Sequence, residues 1–315
     1  MTHDDQDHNI HEGPSHDWSR RDFVALSVAA GLAATVPALT AELPVIETNV
    51  EVKTPDGTSD AVFIHPATGS YAGVLVWTDA LGLRPAMRDI GKRIAAEGYS
   101  VLVPNPFYRT AKAPVFDASF SFQNQADMAK LQQMTGPLKE PGAAEKDAIA
   151  YIAFLDAQPQ VNKAKKIGTQ GYCMGGPLVV QTAAALPNRV GAGASFHGGG
   201  LVTDKPDSPH LLAPKIKARM YFGIASNDDA RQPDAKDKLK QAFAAANVPA
   251  EIEVYPEPCM AGAYRTCRSR MANQSTANPM PSAPGASWSL YIKRPSPEFS
   301  PTVLRAAGGS HGLLV

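Results

Sequence analysis

From Gly171 to Gly175 the chain reads Gly-Tyr-Cys-Met-Gly, with an apolar run on either side. A small residue two places before and two places after a nucleophilic side chain, set between a strand and a helix, is the pattern of a nucleophile elbow. The central residue takes a strained turn, and the glycines keep neighbouring backbone clear of it. Cys173 stands where such turns most often carry serine. The N–H of Met174, at the first turn of the helix that follows, is then aimed at an oxyanion, and the helix end favours a thiolate. That is the chemistry of acyl transfer through a covalent thioester. The competing reading makes Cys173 one more small buried residue, since free cysteine is among the most buried side chains. Its flanking strand and helix favour the elbow. The other two cysteines, Cys259 and Cys267, give neither a disulfide framework nor the paired spacing of a zinc site, and no CxxC pair supports redox exchange at Cys173.

The elements that must position this turn are legible from about residue 45. NVEVKT and AVFIHP read as strands joined at the Asp-Gly of TPDGTSD. GVLVW, SVLVPN, KKIGTQGYC, VGAGASF, ARMYFGIAS and AEIEVYP follow as further strands. Helical spacing occupies RPAMRDIGKRIAAEG, AAEKDAIAYIAFLDAQ, PLVVQTAAALP and DAKDKLKQAFAAANV. Strand and helix in alternation imply an α/β fold of one domain, a mostly parallel, doubly wound sheet with helices on both faces. Ligands sit outside the carboxyl ends of such strands. WTDALGL, GYCMGG and SNDDARQP therefore share one rim.

Composition narrows the function. Lys+Arg 30 balance Asp+Glu 30 in 315 residues, so no basic surface points to nucleic acid, and KDKLK at 236–240 reads as a solvated helix face. Residues 1–41 read as a leader. Within SRRDFVALSVAAGLAATVPA the pair Arg20 and Arg21 precedes an apolar stretch shorter than a membrane span and small residues suited to cleavage near Ala38 or Ala41. The stretch resembles a twin-arginine export signal, which implies the bacterial twin-arginine machinery as partner, a periplasmic or secreted product and no stable membrane span. A basic-apolar leader without that role is the other reading.

WTDALGL, GYSVLVPNPFYR, GYCMGG and FGIASNDDARQPDAKDKLKQAF followed by EIEVYP, in this order over residues 45–256, resemble the dienelactone hydrolases. The resemblance implies the α/β-hydrolase fold, a Cys-His-Asp triad and hydrolysis of a small-molecule lactone or ester, with no metal or organic cofactor. Cys173 matches the nucleophile. The triad acid falls in Asn227-Asp228-Asp229; spacing from Gly223 favours Asp228 and spacing back from Pro233 favours Asp229, with Asp228 preferred and a loop or capping role as its alternative. Asp79 matches the carboxylate that restrains the resting thiol, one methylene shorter than the usual glutamate. Ala80 and Leu81 are then the source of the second oxyanion N–H. Arg109 matches an arginine that receives a substrate carboxylate, for which a planar fork is suited; an arginine lying over the sheet edge is the alternative.

The triad histidine of the resemblance belongs just after the last strand, in a segment like HGWCVPDM. Here EPCMAGAYRTCRSRM follows, without histidine. One back-translation of Cys259 to Cys267, read from the third base of its first codon, spells HGWCVPDM. Residues 257–315 are therefore expected to be an irregular, proline-rich and frameshifted tail, with prolines at 279, 281, 284, 295, 297 and 301. A missing closing helix leaves apolar sheet surface wet, so low stability and aggregation are expected. Of the remaining histidines, His197 in SFHGGG reads as a rim residue, since an HGGG turn normally precedes the nucleophile. His210 reads as a loop residue, and His3, His8, His11 and His16 precede the export stretch. His311 reaches the site only if the tail folds back, at a large entropic cost. Two functions follow: a thiol hydrolase, or a catalytically impaired relative that keeps the pocket without turnover.

Overall fold

The computed structural model describes residues 42–255. Eight strands form one sheet: β1 Val45–Thr54, β2 Gly57–Pro66, β3 Ala72–Trp77, β4 Tyr99–Pro104, β5 Ile167–Tyr172, β6 Val190–Phe196, β7 Arg219–Ala225 and β8 Ala250–Tyr255. Their order is β1-β2-β4-β3-β5-β6-β7-β8. β2 runs antiparallel to β1 and β4, and every pairing from β4 to β8 is parallel. The helices are α1 Pro85–Ala96, α2 Gln125–Thr135, α3 Ala143–Ala157, α4 Gly175–Ala185, α5 Ser226–Arg231 and α6 Ala235–Ala245, with 3-10 turns at Pro137–Lys139 and Pro209–Lys215. The mostly parallel sheet expected from the alternation of periods is present, in the α/β-hydrolase fold that the resemblance implies.

The strands form where the sequence supplies continuous apolar runs, because a sheet covered on both faces leaves no polar side. All six residues of β3 are buried, as are all six of β5. Alternation divides them: Leu75 and Trp77 pack with Tyr151, Leu155, Val179, Phe222 and Phe243 on the side of α3, α4 and α6. Val74 and Val76 join Met87, Ile90 and Ile94 of α1 on the other face. Trp77 Nε1 donates to Thr182 Oγ1 at 3.0 Å, fixing α4 to the centre of the sheet.

Two helices depart from the sequence reading. α2 was not anticipated, and SNDDARQP, placed as a rim loop, winds into the six-residue α5. α2 starts at Asn124, whose side chain accepts from the N–H groups of Ala126 and Asp127.

The strand order itself places the site. The chain leaves β3 to reach β4 on one side and returns to β5 on the other, so the ends of β3 and β5 open at the switch point of the sheet, where a ligand has room. Trp77 and Gly171 are paired there, which brings the residues after them, Thr78–Gly82 and Tyr172–Gly175, side by side.

Candidate active site

Cys173 links β5 to α4 with φ of 51°, a left-handed conformation uncommon for a residue with a side chain. Its N–H donates to Phe196 O at 3.0 Å, and its carbonyl accepts from Gly176 N at 3.0 Å and Gly199 N at 3.3 Å. The flanking glycines have a steric reason. A Cβ on Gly171 would lie 2.2 Å from the carbonyl oxygen of Gly175, and one on Gly175 would lie 2.7 Å from the carbonyl oxygens of Trp77 and Thr78. Only bare backbone lets the helix start so close to β3 and β5.

Burial pushes the Cys173 thiol up from its ordinary range. The N–H groups of Met174 and Ala80 act on the sulfur in the opposite direction, and the carboxylates of Asp79 and Asp228 add to the upward push. Two backbone N–H groups from different loops thus favour the charged sulfur. Such a pair can hold a developing oxyanion. The sequence left Ala80 and Leu81 as alternatives for the second donor. The Leu81 N–H is engaged by Asp79 Oδ1 at 3.0 Å, whereas that of Ala80 acts on the thiol in favour of its charged form.

Asp79 is wholly buried, and Arg84 grips it through Nη1 to Oδ1 at 2.6 Å and Nη2 to Oδ2 at 2.7 Å. Its charge is felt at the thiol, but its hydrogen bonds run to Arg84 and Leu81. Asp228 and Asp229 separate by direction. Asp229 accepts Lys236 Nζ at 2.7 and 2.9 Å, and Asp228 has Arg231 at 3.5 Å. The field of Asp228 reaches both Cys173 and His197.

His197, expected at the rim, stands there beside the thiol turn. It leaves β6 with φ of 41°, the second strained exit on adjacent parallel strands, and its N–H donates to Gly223 O at 2.7 Å. Burial pushes its imidazole down and holds it neutral; Asp228 and then Asp79 push it up. A non-glycine residue at positive φ in the HGGG run was not recognisable from sequence spacing. His210 lies apart, with Nδ1 against Ser208 Oγ at 2.8 Å. His311, Cys259 and Cys267 fall outside the described residues.

Arg109 is not free to meet a substrate carboxylate. Its Nη1 and Nη2 reach Asp147 at 2.8 Å each, and Nε and Nη2 reach Asp56 at 3.2 and 2.7 Å. The guanidinium is a strut that fastens α3 to the chain after β4, because Asp147 is wholly buried and needs a cation. A partner 38 residues away leaves no local trace in the chain. The apolar wall beside the oxyanion loop leaves none either. Ala80, Leu81 and Met174 pack against a cluster of Phe107, Phe116, Leu131 and Met134. Among the described residues no group of His, Cys, Asp and Glu could hold a metal ion, and no helix is long and apolar enough to cross a membrane.

The model of the dienelactone hydrolase family matches residues 59–277. The chain belongs to the dienelactone hydrolase family. The carboxymethylenebutenolidase of Rhodococcus opacus is 29% identical over 204 residues, covering 63% of this chain and 74% of that one. The fold is shared with the crystal structure of P91, a dienelactone hydrolase-like promiscuous phosphotriesterase from metagenomic libraries. Its TM-score is 0.56 at 20% identity, over 73% of this chain and 97% of that one. A Pyrococcus horikoshii acylaminoacyl peptidase gives a TM-score of 0.53 at 15% identity, over 71% of this chain and 39% of that one. Membership in this hydrolase family points to a small-molecule substrate.

Proposed function

We propose that this dienelactone hydrolase family member cleaves a carboxylic ester or lactone through a thiol nucleophile at Cys173. The observation that carries the reading is Cys173 held in a left-handed turn between strand and helix at the switch point of the sheet, with Gly171 and Gly175 packed too closely to carry a Cβ and the Met174 and Ala80 N–H groups favouring the charged sulfur. In the first step the sulfur attacks the acyl carbonyl. A C–S bond forms, the thiol proton passes to a base, the two N–H groups hold the oxyanion, and the C–O bond breaks as the alcohol leaves with a proton. In the second step water attacks the thioester, the C–S bond breaks and the thiol is restored. Asp228 is the acid of this arrangement, because its charge faces Cys173 and His197 while Asp229 is paired with Lys236. Among the described histidines, His197 is the candidate base: it is partly buried, which favours its neutral form, and lies within the field of Asp228.

The test is the hydrolysis of p-nitrophenyl acetate by purified full-length protein, followed through burst and steady state. Steady turnover that disappears in Cys173→Ala, and that falls to a burst alone in His197→Gln, is the expected outcome. Turnover unchanged in Cys173→Ala would remove the thiol from the mechanism. A stoichiometric burst without turnover in the unmodified protein gives the second reading, a relative that is acylated and not released.

A further inference from the structure

We infer that the substrate is an uncharged ester or lactone whose acyl part carries an aromatic or bulky apolar group, seated on a ladder of phenylalanines beside the oxyanion loop. The inference rests on the ester-hydrolase reading above and names its substrate class. Three independent observations carry it.

The first is the state of the arginines. Arg109, the family-matched receiver of a substrate carboxylate, is closed into forks with Asp147 and Asp56. Arg84, on the oxyanion loop, is closed into a fork with Asp79. Recruiting either for a substrate would strip a wholly buried carboxylate of its cation, which costs several kcal/mol. The second is the sign of the field. Asp79 is neutralised by Arg84, but Asp228, with Arg231 at 3.5 Å, acts on Cys173 as a negative charge, so an anionic acyl group approaching the sulfur meets like charge.

The third is the wall. Phe107 is buried against the oxyanion loop so closely that a Cβ on Gly82 would lie 2.9 Å from its ring. From there ring centroids step edge to face from Phe107 to Phe116 at 6.3 Å, to Phe120 at 4.8 Å and to Phe122 at 4.9 Å. The series begins in the core and ends at Phe122, which is 42% exposed. A ladder that reaches solvent in this way offers ring edges and faces to an incoming aromatic group. Lys130, which lies over the Phe116 ring, already donates to Val115 O at 2.8 Å.

Three esters test the inference on the full chain: p-nitrophenyl 3-phenylpropanoate, the same ester with a para-carboxylate on its ring, and p-nitrophenyl acetate. The carboxylate is remote from the reacting carbonyl, so intrinsic reactivity is matched. Acylation is read as the second-order rate of the p-nitrophenolate burst, with the adduct on Cys173 identified by mass. The neutral aryl ester is expected to acylate about tenfold faster than its carboxylate analogue. Phe120→Ala is expected to slow the aryl ester about fivefold while sparing acetate, and Phe120→Leu to restore most of that loss. A carboxylate ester that reacts as fast as the neutral one, or a Phe120→Ala loss equal for acetate and the aryl ester, overturns the inference. No adduct on Cys173 from any of the three overturns the thiol-hydrolase reading and this inference with it.

Discussion

At Cys173 two demands on one atom oppose each other. The backbone donors that suit it to stabilise an oxyanion lower the cost of a thiolate, while burial and the carboxylates of Asp79 and Asp228 raise it. Asp228→Asn therefore has a split outcome: alkylation of Cys173 by iodoacetamide at pH 7 speeds up several-fold, because one opposing charge is gone, while ester turnover falls. Equal slowing of both reactions would show that Asp228 acts through the fold and not through its charge. His197 gives a second expectation. Its folded state holds the neutral form, so the unfolded chain binds more protons on acidification. Stability is therefore complete above the ordinary histidine value of 6.5 and is lost as pH falls from there towards the lower folded value. In His197→Gln that slope flattens in urea melts collected between pH 7 and 5. Gly171→Ala belongs to the same scale: its Cβ meets the Gly175 carbonyl at 2.2 Å, so the elbow must open. A loss of about 3 kcal/mol or more with no activity is expected, and a variant with unaltered melting would refute the steric account.

Elements carry the second layer. α3 is held to the chain after β4 by Asp147, which takes Arg109 and also the Tyr108 hydroxyl at 2.7 Å. Asp147→Ala leaves a cation that is only 11% exposed without its main partner. A loss of about 3–5 kcal/mol in a urea melt follows, and a loss below about 1 kcal/mol would mean that Asp56 suffices. This scale also shows what a single sequence displays. The strands were legible because each parallel strand needs an unbroken apolar run, and GVLVW and ARMYFGIA supply one. α2 was not, because only Leu131, Met134 and Thr135 of its eleven residues are buried, too few for an apolar stripe. α5 buries no side chain at all, so SNDDAR had the composition of a loop. At the site, the glycines around Cys173 were readable because the steric need is local. The choice between Asp228 and Asp229 was not, since the turn of α5 decides which carboxylate faces the thiol and which faces Lys236. The pairing of Arg109 was hidden for a related reason: its partner lies on another element, and sequence spacing cannot show that a fork is already closed.

For the whole molecule, residues 1–41 and the tail from 257 lie outside the described residues, and two readings of them stand as proposals. We propose that Arg20 and Arg21 direct export of the folded chain. With both changed to lysine, a chain expressed in bacteria should stay in the cytoplasmic fraction; periplasmic recovery equal to the unmodified chain would refute the signal. The frame of codons 255 to 315 is a matter for the gene, and resequencing that finds it continuous, with relatives sharing the same tail, would retire the shifted reading. The division of labour within the fold has its own consequence. Cys173, Ala80 and Asp228 arrive from the exits of β5, β3 and β7, but the phenylalanine ladder rides on one uninterrupted stretch between β4 and α3. Selection can therefore exchange that stretch as a cassette, changing which molecules are accepted while the chemical machinery is inherited intact, and a graft of residues 106–135 onto a relative is the laboratory equivalent of that history.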